Sequence, residues 1–294
     1  MTDAVQAPLE PAESRRGYWG QVARRFLRHR PAVAGLVFLM LMAAATIIGP
    51  QVLPYGYDEQ DFNLIGSPGE MTRSHWLGSD ELGRDALTRL VYGGRVSLAV
   101  GLAGALIATS LGTIVGALAG FYRGLIDPLL MRFTDVMLSI PPLPLVLLLS
   151  GLLRPSVPLL IAIIGALIWM GTARLVRSQF LALREREFVE AARALGAGGP
   201  RLILRHILPN AVGPITVSAT LAVGSSILLE SALSFLGFGV QPPVPTWGNL
   251  LNTASPWLGQ APWLAIAPGL CIFGTVLATN FVGDGLRDAI EPRS

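Results

Sequence analysis

The sequence predicts an all-α membrane protein with about six transmembrane helices, and three observations carry that prediction. Hydrophobic residues make up 52% of the chain and charged residues only 14%, against about a quarter charged in soluble domains. The apolar residues gather into six windows almost free of charge, near 32–53, 97–120, 136–153, 157–173, 211–236 and 262–283, of the length that crosses about 30 Å of hydrocarbon. The basic residues, all of them arginine, fall mostly between alternate windows, as membrane orientation requires. Thirty-three glycines and 22 prolines would mark low complexity in a polar chain. Here they lie largely inside the apolar windows, where membrane helices tolerate them.

From the N-terminus, residues 1–31 read as a cytoplasmic tail and 32–294 as the transmembrane domain. Residues 1–14 are polar and expected to be disordered. Residues 15–30 mix arginine with Tyr18, Trp19 and Phe26, which suits either an amphipathic helix lying on a membrane surface or an ordinary basic flank. The first window is too long for the apolar core of a signal peptide and is expected to stay as a span. An external segment of about 54–96 follows, long enough for structure of its own. Gly112, Gly116 and Gly120 give the second window the G-x-x-x-G spacing of close helix packing. The third carries Pro141, Pro142 and Pro144 near its start, so its entry should be kinked. Pro155 and Pro158 favour a tight turn before the fourth. A cytoplasmic loop of about 174–210 leads to the fifth. The uncharged stretch 237–261, with Pro242, Pro243, Pro245, Trp247 and Trp257 and with Trp263 at its edge, is expected to lie at the outer membrane surface. After the sixth, Asp284, Arg287 and Asp288 read as a solvated helix end.

With the N-terminus inside, only Arg73, Arg84, Arg89, Arg95 and Arg154 of the 22 arginines fall outside. Both termini are therefore placed in the cytoplasm, with an even number of spans. The same distribution argues against a nucleic-acid surface: the sequence pI is near 9.5, but the arginines flank apolar windows and form no single stripe. His29, His75 and His206 lie in three separate segments and Cys271 is the single cysteine, so no metal cluster or disulfide framework is expected.

The cytoplasmic loop runs Arg184-Glu185-Arg186-Glu187-Phe188-Val189-Glu190-Ala191-Ala192-Arg193-Ala194-Leu195-Gly196. Its residues favour helix; Gly196 is placed to end that helix and Gly198-Gly199-Pro200 to block its continuation. A second short helix is expected over about 201–208, before Pro209. Phe188, Ala191, Ala192 and Leu195 at i, i+3, i+4 and i+7 predict one apolar face. So short a helix needs a partner surface.

Glu190-Ala191-Ala192, then Gly196, then His206-Ile207-Leu208-Pro209 resembles the EAA loop of ABC importer permeases. His75-Trp76-Leu77-Gly78-Ser79-Asp80-Glu81-Leu82-Gly83-Arg84-Asp85, leading to Gly94-Arg95-Val96-Ser97-Leu98, is similar to the external segment of the dipeptide/oligopeptide/nickel branch. Asp135–Pro141, Glu230–Gly237 and Gly283–Arg293 match that branch as well, and the resemblance runs from about Arg24 onward. It implies a type I ABC importer permease-like fold and a C-type inner-membrane subunit of a prokaryotic cell. Phe188, Glu190, Ala191, Ala192, Arg193, Leu195 and Gly196 would then form the coupling helix that docks on a cytoplasmic ATPase. The partners implied are a paralogous B-type permease, two ATPase subunits, an external substrate-binding protein and membrane lipid. The chain would bind no cofactor itself; ATP and Mg belong to the ATPase subunits, since a chain without lysine cannot hold a Walker A loop. The substrate would be a di- or oligopeptide, or alternatively nickel or another small solute. The Gly198-Gly199-Pro200 stretch departs from the polar helix-starting residues more usual in the family.

Two further sites stay open between readings. Glu230, an acid in the fifth window, is expected either to line the translocation path or contact the partner permease, or to sit near the outer helix end. Asp80, Arg84 and Asp85, with Glu81, are expected either to gate the outside and contact the binding protein or to staple their own loop. A secondary transporter or membrane-embedded enzyme would place several ionisable groups at mid-span, and these windows are almost bare of them.

Overall fold

A few capping residues set where this chain turns helical. The computed structural model describes residues 15–153 and 156–290. The readings placed on residues 1–14, on Arg154 and Pro155, on the side chains of Tyr18 and Trp19 and on residues 291–294 lie outside the described residues. Helix α1 (Arg15–Arg28) breaks at His29, whose side chain accepts from the Ala32 amide and so caps α2 (Arg30–Val52). Asp85 caps α3 (Ala86–Tyr122) by accepting from Thr88 N at 2.7 Å. Helices α4 (Ile126–Ser139) and α5 (Pro142–Leu152) follow, and Ser156 caps α6 (Val157–Leu183). Then come α7 (Glu187–Ala194), a single turn α8 (Gly199–Arg201), a π-helical stretch (Leu202–Ile207) and α9 (Leu208–Phe235). The short α10 (Trp247–Ala254) and the long α11 (Trp263–Ile290) complete the chain.

Five helices are long and apolar enough to cross a membrane, and α4 with α5, bent by 80° at their junction, is long and apolar enough only as a pair. The kink expected at the proline-rich entry of the third window is present as a full break between α4 and α5. Pro141 pushes Ile140 out of the helical region, and Pro142, without an N–H, restarts the helix as its first residue. The fifth span differs from expectation. The helix of 201–208 does not stop before Pro209 but runs on as α9. The chain absorbs the proline by widening to a π turn, in which Leu208 N bonds Ile203 O five residues back. Gly198-Gly199-Pro200 begins this helix, with Gly198 as its cap and Pro200 in its first turn.

The segment between α2 and α3 ends at Asp85, so Arg89 and Arg95 belong to α3 and not to the external segment. At about 1.5 Å per residue, the 37-residue α3 is longer than the hydrocarbon is thick. The stretch 237–261, expected at the outer membrane surface, packs its short helix on the bundle and leaves Pro242, Pro243 and Leu258 exposed. Its α10 starts on a capping box between Thr246 and Asn249, and Trp247 is 1% exposed. That ring packs with Ile227 and Ile272 and donates from Nε1 to Leu90 O.

Helices α3 and α6 pack at backbone distance. Built Cβ atoms on Gly112, Gly116 and Gly120 would lie 2.4–2.7 Å from atoms of Trp169, Thr172, Ala173 and Phe180 on α6. The G-x-x-x-G spacing thus marks a true seam. At the two ends of the chain, His29 Nε2 approaches Asp288 at 3.6 Å and Gly285 packs against Ala32. The start of α2 and the end of α11 therefore share one side of the bundle, as an even number of crossings requires. Asp284, Arg287 and Asp288 are exposed there.

Candidate functional site

Helix α7 hangs below α3 and α6. Glu187 and Glu190 occupy its first turn and Arg193 its last, the signs the helix dipole favours. Gly196, with φ +84°, ends it in a Schellman motif: Gly196 N bonds Arg193 O and Ala197 N bonds Ala192 O. Inward, Val189 is fully buried and packs in a cluster with Ala117 of α3, Val176 and Phe180 of α6, and Leu202 and Ile207 of the π stretch. Outward, Phe188 is 42% exposed and Leu195 90%, with Glu190, Ala191 and Arg193 also exposed. The apolar face expected from Phe188, Ala191, Ala192 and Leu195 is therefore split. Ala192 turns inward beside Val189, and Phe188, Ala191 and Leu195 remain outward. The apolar patch thus stands on a helix pinned from behind, which fixes its geometry.

The helix end sets a first prediction. A side chain in the left-handed region costs about 1–2 kcal/mol. Gly196→Val should loosen the end of α7 by that amount, which faster amide exchange at Gly196 and Ala197 would report, with exchange in α6 unchanged.

On the other side of the bundle, Asp80, Arg84 and Asp85 come together but face inward. Arg84 Nε and Nη2 both lie 2.7 Å from Asp80 Oδ2, whose other oxygen accepts from the amides of Leu82 and Arg84. Arg89 adds a 3.3 Å contact to the same carboxylate and donates from Nη1 to Tyr57 O. Asp85 receives His75 Nδ1 at 2.9 Å besides capping α3, and Tyr55 stacks on the His75 ring at 4.6 Å. Arg84 and Asp85 are 6% and 4% exposed, which favours the staple over the gate or binding-protein contact. The sequence offered no means of separating the two readings, because Tyr57, His75 and Arg89 complete the cluster only in space. Beside it, an Asn63 amide bond holds the Asp61 carboxyl below the usual carboxylate range, with His75 adding to the effect.

Glu230 is also interior. Its oxygens accept from Ser234 at 2.7 Å and from Ser97 of α3 at 3.0 Å, and Ser97 accepts in turn from Trp247 N. No part of Glu230 is accessible in this chain, and its carboxyl joins α9, α3 and α10. It lies near the C-terminal end of α9, and its burial in a polar knot was not foreseen. Among the described residues no group of three or more metal-ligating side chains comes together.

Comparison with known proteins follows the same lines. Residues 112–294 match the family described as the binding-protein-dependent transport system inner membrane component. Residues 17–68 match the N-terminal transmembrane domain of oligopeptide transport permease C. The chain is 42% identical over 284 residues to the oligopeptide transport system permease protein OppC of Haemophilus influenzae, covering 95% of this chain and 89% of that one. It is 40% identical to OppC of Escherichia coli K12, over 95% and 92% of the two chains. Identity is 38% to the glutathione transport system permease protein GsiD of Pectobacterium atrosepticum, over 97% and 95%.

Proposed function

The chain belongs to the family of binding-protein-dependent transport system inner membrane components, and from that premise we propose that it forms half of a peptide path moved by ATP through α7. It is a multi-pass inner-membrane permease subunit of C type and a non-catalytic part of an ABC importer. Its relatives carry oligopeptide and glutathione names, which favours peptides over nickel chelates as cargo.

In this reading a related B-type permease supplies the other half of the path. An external binding protein delivers the peptide, and two cytoplasmic ATPase subunits hold ATP and Mg. The arginine distribution supports cytoplasmic termini and a cytoplasmic α7. One observation carries the proposal: α7 shows Phe188, Ala191 and Leu195 outward while Val189 fixes its back to α3 and α6. A push on that face is thereby delivered to two spans at once, which is what biasing a two-state helix bundle requires. Glu230 is hydrogen-bonded in the interior and offers no accessible group for proton coupling, which favours an ATP-driven importer over a secondary transporter.

The test is uptake of labelled peptides into liposomes holding the full complex. Saturable uptake that needs both ATP and the binding protein, and that unlabelled peptide competes away, is expected. Uptake of a nickel chelate without peptide uptake would contradict the proposal.

A further inference from the structure

Arg184 closes α6 and opens the short link to α7. Its Nη1 donates to the Phe121 carbonyl at 2.5 Å, and its guanidinium carbon stands 6.0 Å from the centre of the Phe121 ring. Phe121 lies in the last turn of α3, where carbonyls have no helical N–H to accept from. A cation there also complements the negative end of the helix dipole. Arg184 Nε lies 3.4 Å from Glu185 Oε1, which Arg123 Nη2 holds from the other side at 2.9 Å. Burial lowers the Arg184 pKa, and the Arg123 charge adds to that effect. The guanidinium is thus drawn into the junction and does not wave in solvent.

The chain changes character just past this point. Arg123 and Gly124 both take positive φ, 53° and 56°, and swivel the backbone into α4. The stiff part of α3 therefore ends at the group that Arg184 holds. Besides Arg184 and the exposed Arg123–Glu185 pair in the link, α7 is held to the bundle by apolar contacts around Val189, which resist separation but permit sliding. A charge-assisted bond to a fixed carbonyl has direction.

We infer that Arg184 is a positioning residue that locks the root of α7 to the end of α3, so that movement of α7 is transmitted to the spans and not lost in the link. This inference rests on the peptide-importer reading above. It assigns the transmission to one side chain outside the docking face.

The experiment uses the assembled complex in liposomes and measures ATP hydrolysis and peptide uptake together. In Arg184→Gln, uptake should fall about tenfold, a coupling loss within the usual allosteric range, while ATP hydrolysis stays near the wild-type rate. The ATP consumed per peptide should rise by the same factor. Arg184→Lys should recover part of the ratio, because an ammonium can reach the carbonyl but cannot stack as a planar fork. Arg186→Gln, at an exposed neighbour, should leave the ratio unchanged. Subunit recovery on purification confirms that the variants assemble. An unchanged ratio in Arg184→Gln, or a parallel loss of hydrolysis and uptake that Arg184→Lys does not relieve, would overturn the inference alone. Absence of ATP-driven uptake with the wild-type chain would remove the transport reading and this inference with it.

Discussion

Gly116→Leu is expected to prevent assembly of the permease in the membrane. The site leaves no room for even the first carbon. A Cβ at Gly116 would lie 2.4 Å from Ala173 O, 2.8 Å from Val176 Cβ and 2.9 Å from Arg177 N. Two of those three atoms are backbone, so relief requires α3 and α6 to separate. Overpacking usually costs about 1–3 kcal/mol, and a clash against backbone along a seam of three glycines belongs at or above the top of that range. Helix propensity works the other way, since leaving glycine gains about 1 kcal/mol, and it is the smaller term. Gly171→Ala on α6 provides the contrast. Nothing lies within 4 Å of a Cβ there, so only the propensity term remains and the variant should be neutral or slightly stabilised. Detergent-extracted yield and thermal unfolding of the two variants measure the difference. Equal stability for both would mean that α3 and α6 do not meet as described.

Phe188→Asp combined with Leu195→Asp should uncouple the permease from its ATPase without unfolding it. Both side chains face outward, and the inward contacts of Val189 and the Schellman end of α7 are untouched, so the fold should keep its stability. At a docked face, each apolar anchor lost is worth about 1–2 kcal/mol, and a carboxylate left without a partner adds a desolvation cost. With about 1.4 kcal/mol to a factor of ten, the pair should weaken docking by about a hundredfold or more. The matched control is Val189→Asp, which places the same charge in the buried cluster and should instead destabilise the chain itself. Comparing the two variants separates a docking role for the outer face from a folding role for the inner one.

What the sequence could show followed its local signals. Gly196 at the helix end, the glycine spacing on α3 and the prolines at the α4–α5 bend each act within a few residues. Their outcomes were readable for that reason. The face of α7 was misjudged at Ala192 because an eight-residue helix with alanine on both sides supports two registers of apolar spacing. Val189, which decides between them, does so through Phe180 and Ile207. The polar clusters were harder for the same physical reason. Ser97 reaches Glu230 across 133 positions of chain, and Arg89 reaches Tyr57 across 32. A charge cluster looks alike in sequence whether it faces water or its own loop. The π turn before Pro209 lay between these cases: the proline announced a disturbance, but a helix can either stop there or widen and continue.

The central claim is that α7 is the element through which ATP hydrolysis elsewhere moves this chain. The most direct test is substrate-stimulated ATPase activity of the purified complex in lipid, with the intact chain and with the Phe188→Asp, Leu195→Asp double variant. The account predicts that peptide with its binding protein accelerates ATP turnover in the first and has no effect in the second, although all subunits fold. Full stimulation in the double variant would contradict it and would place the coupling surface elsewhere on the chain.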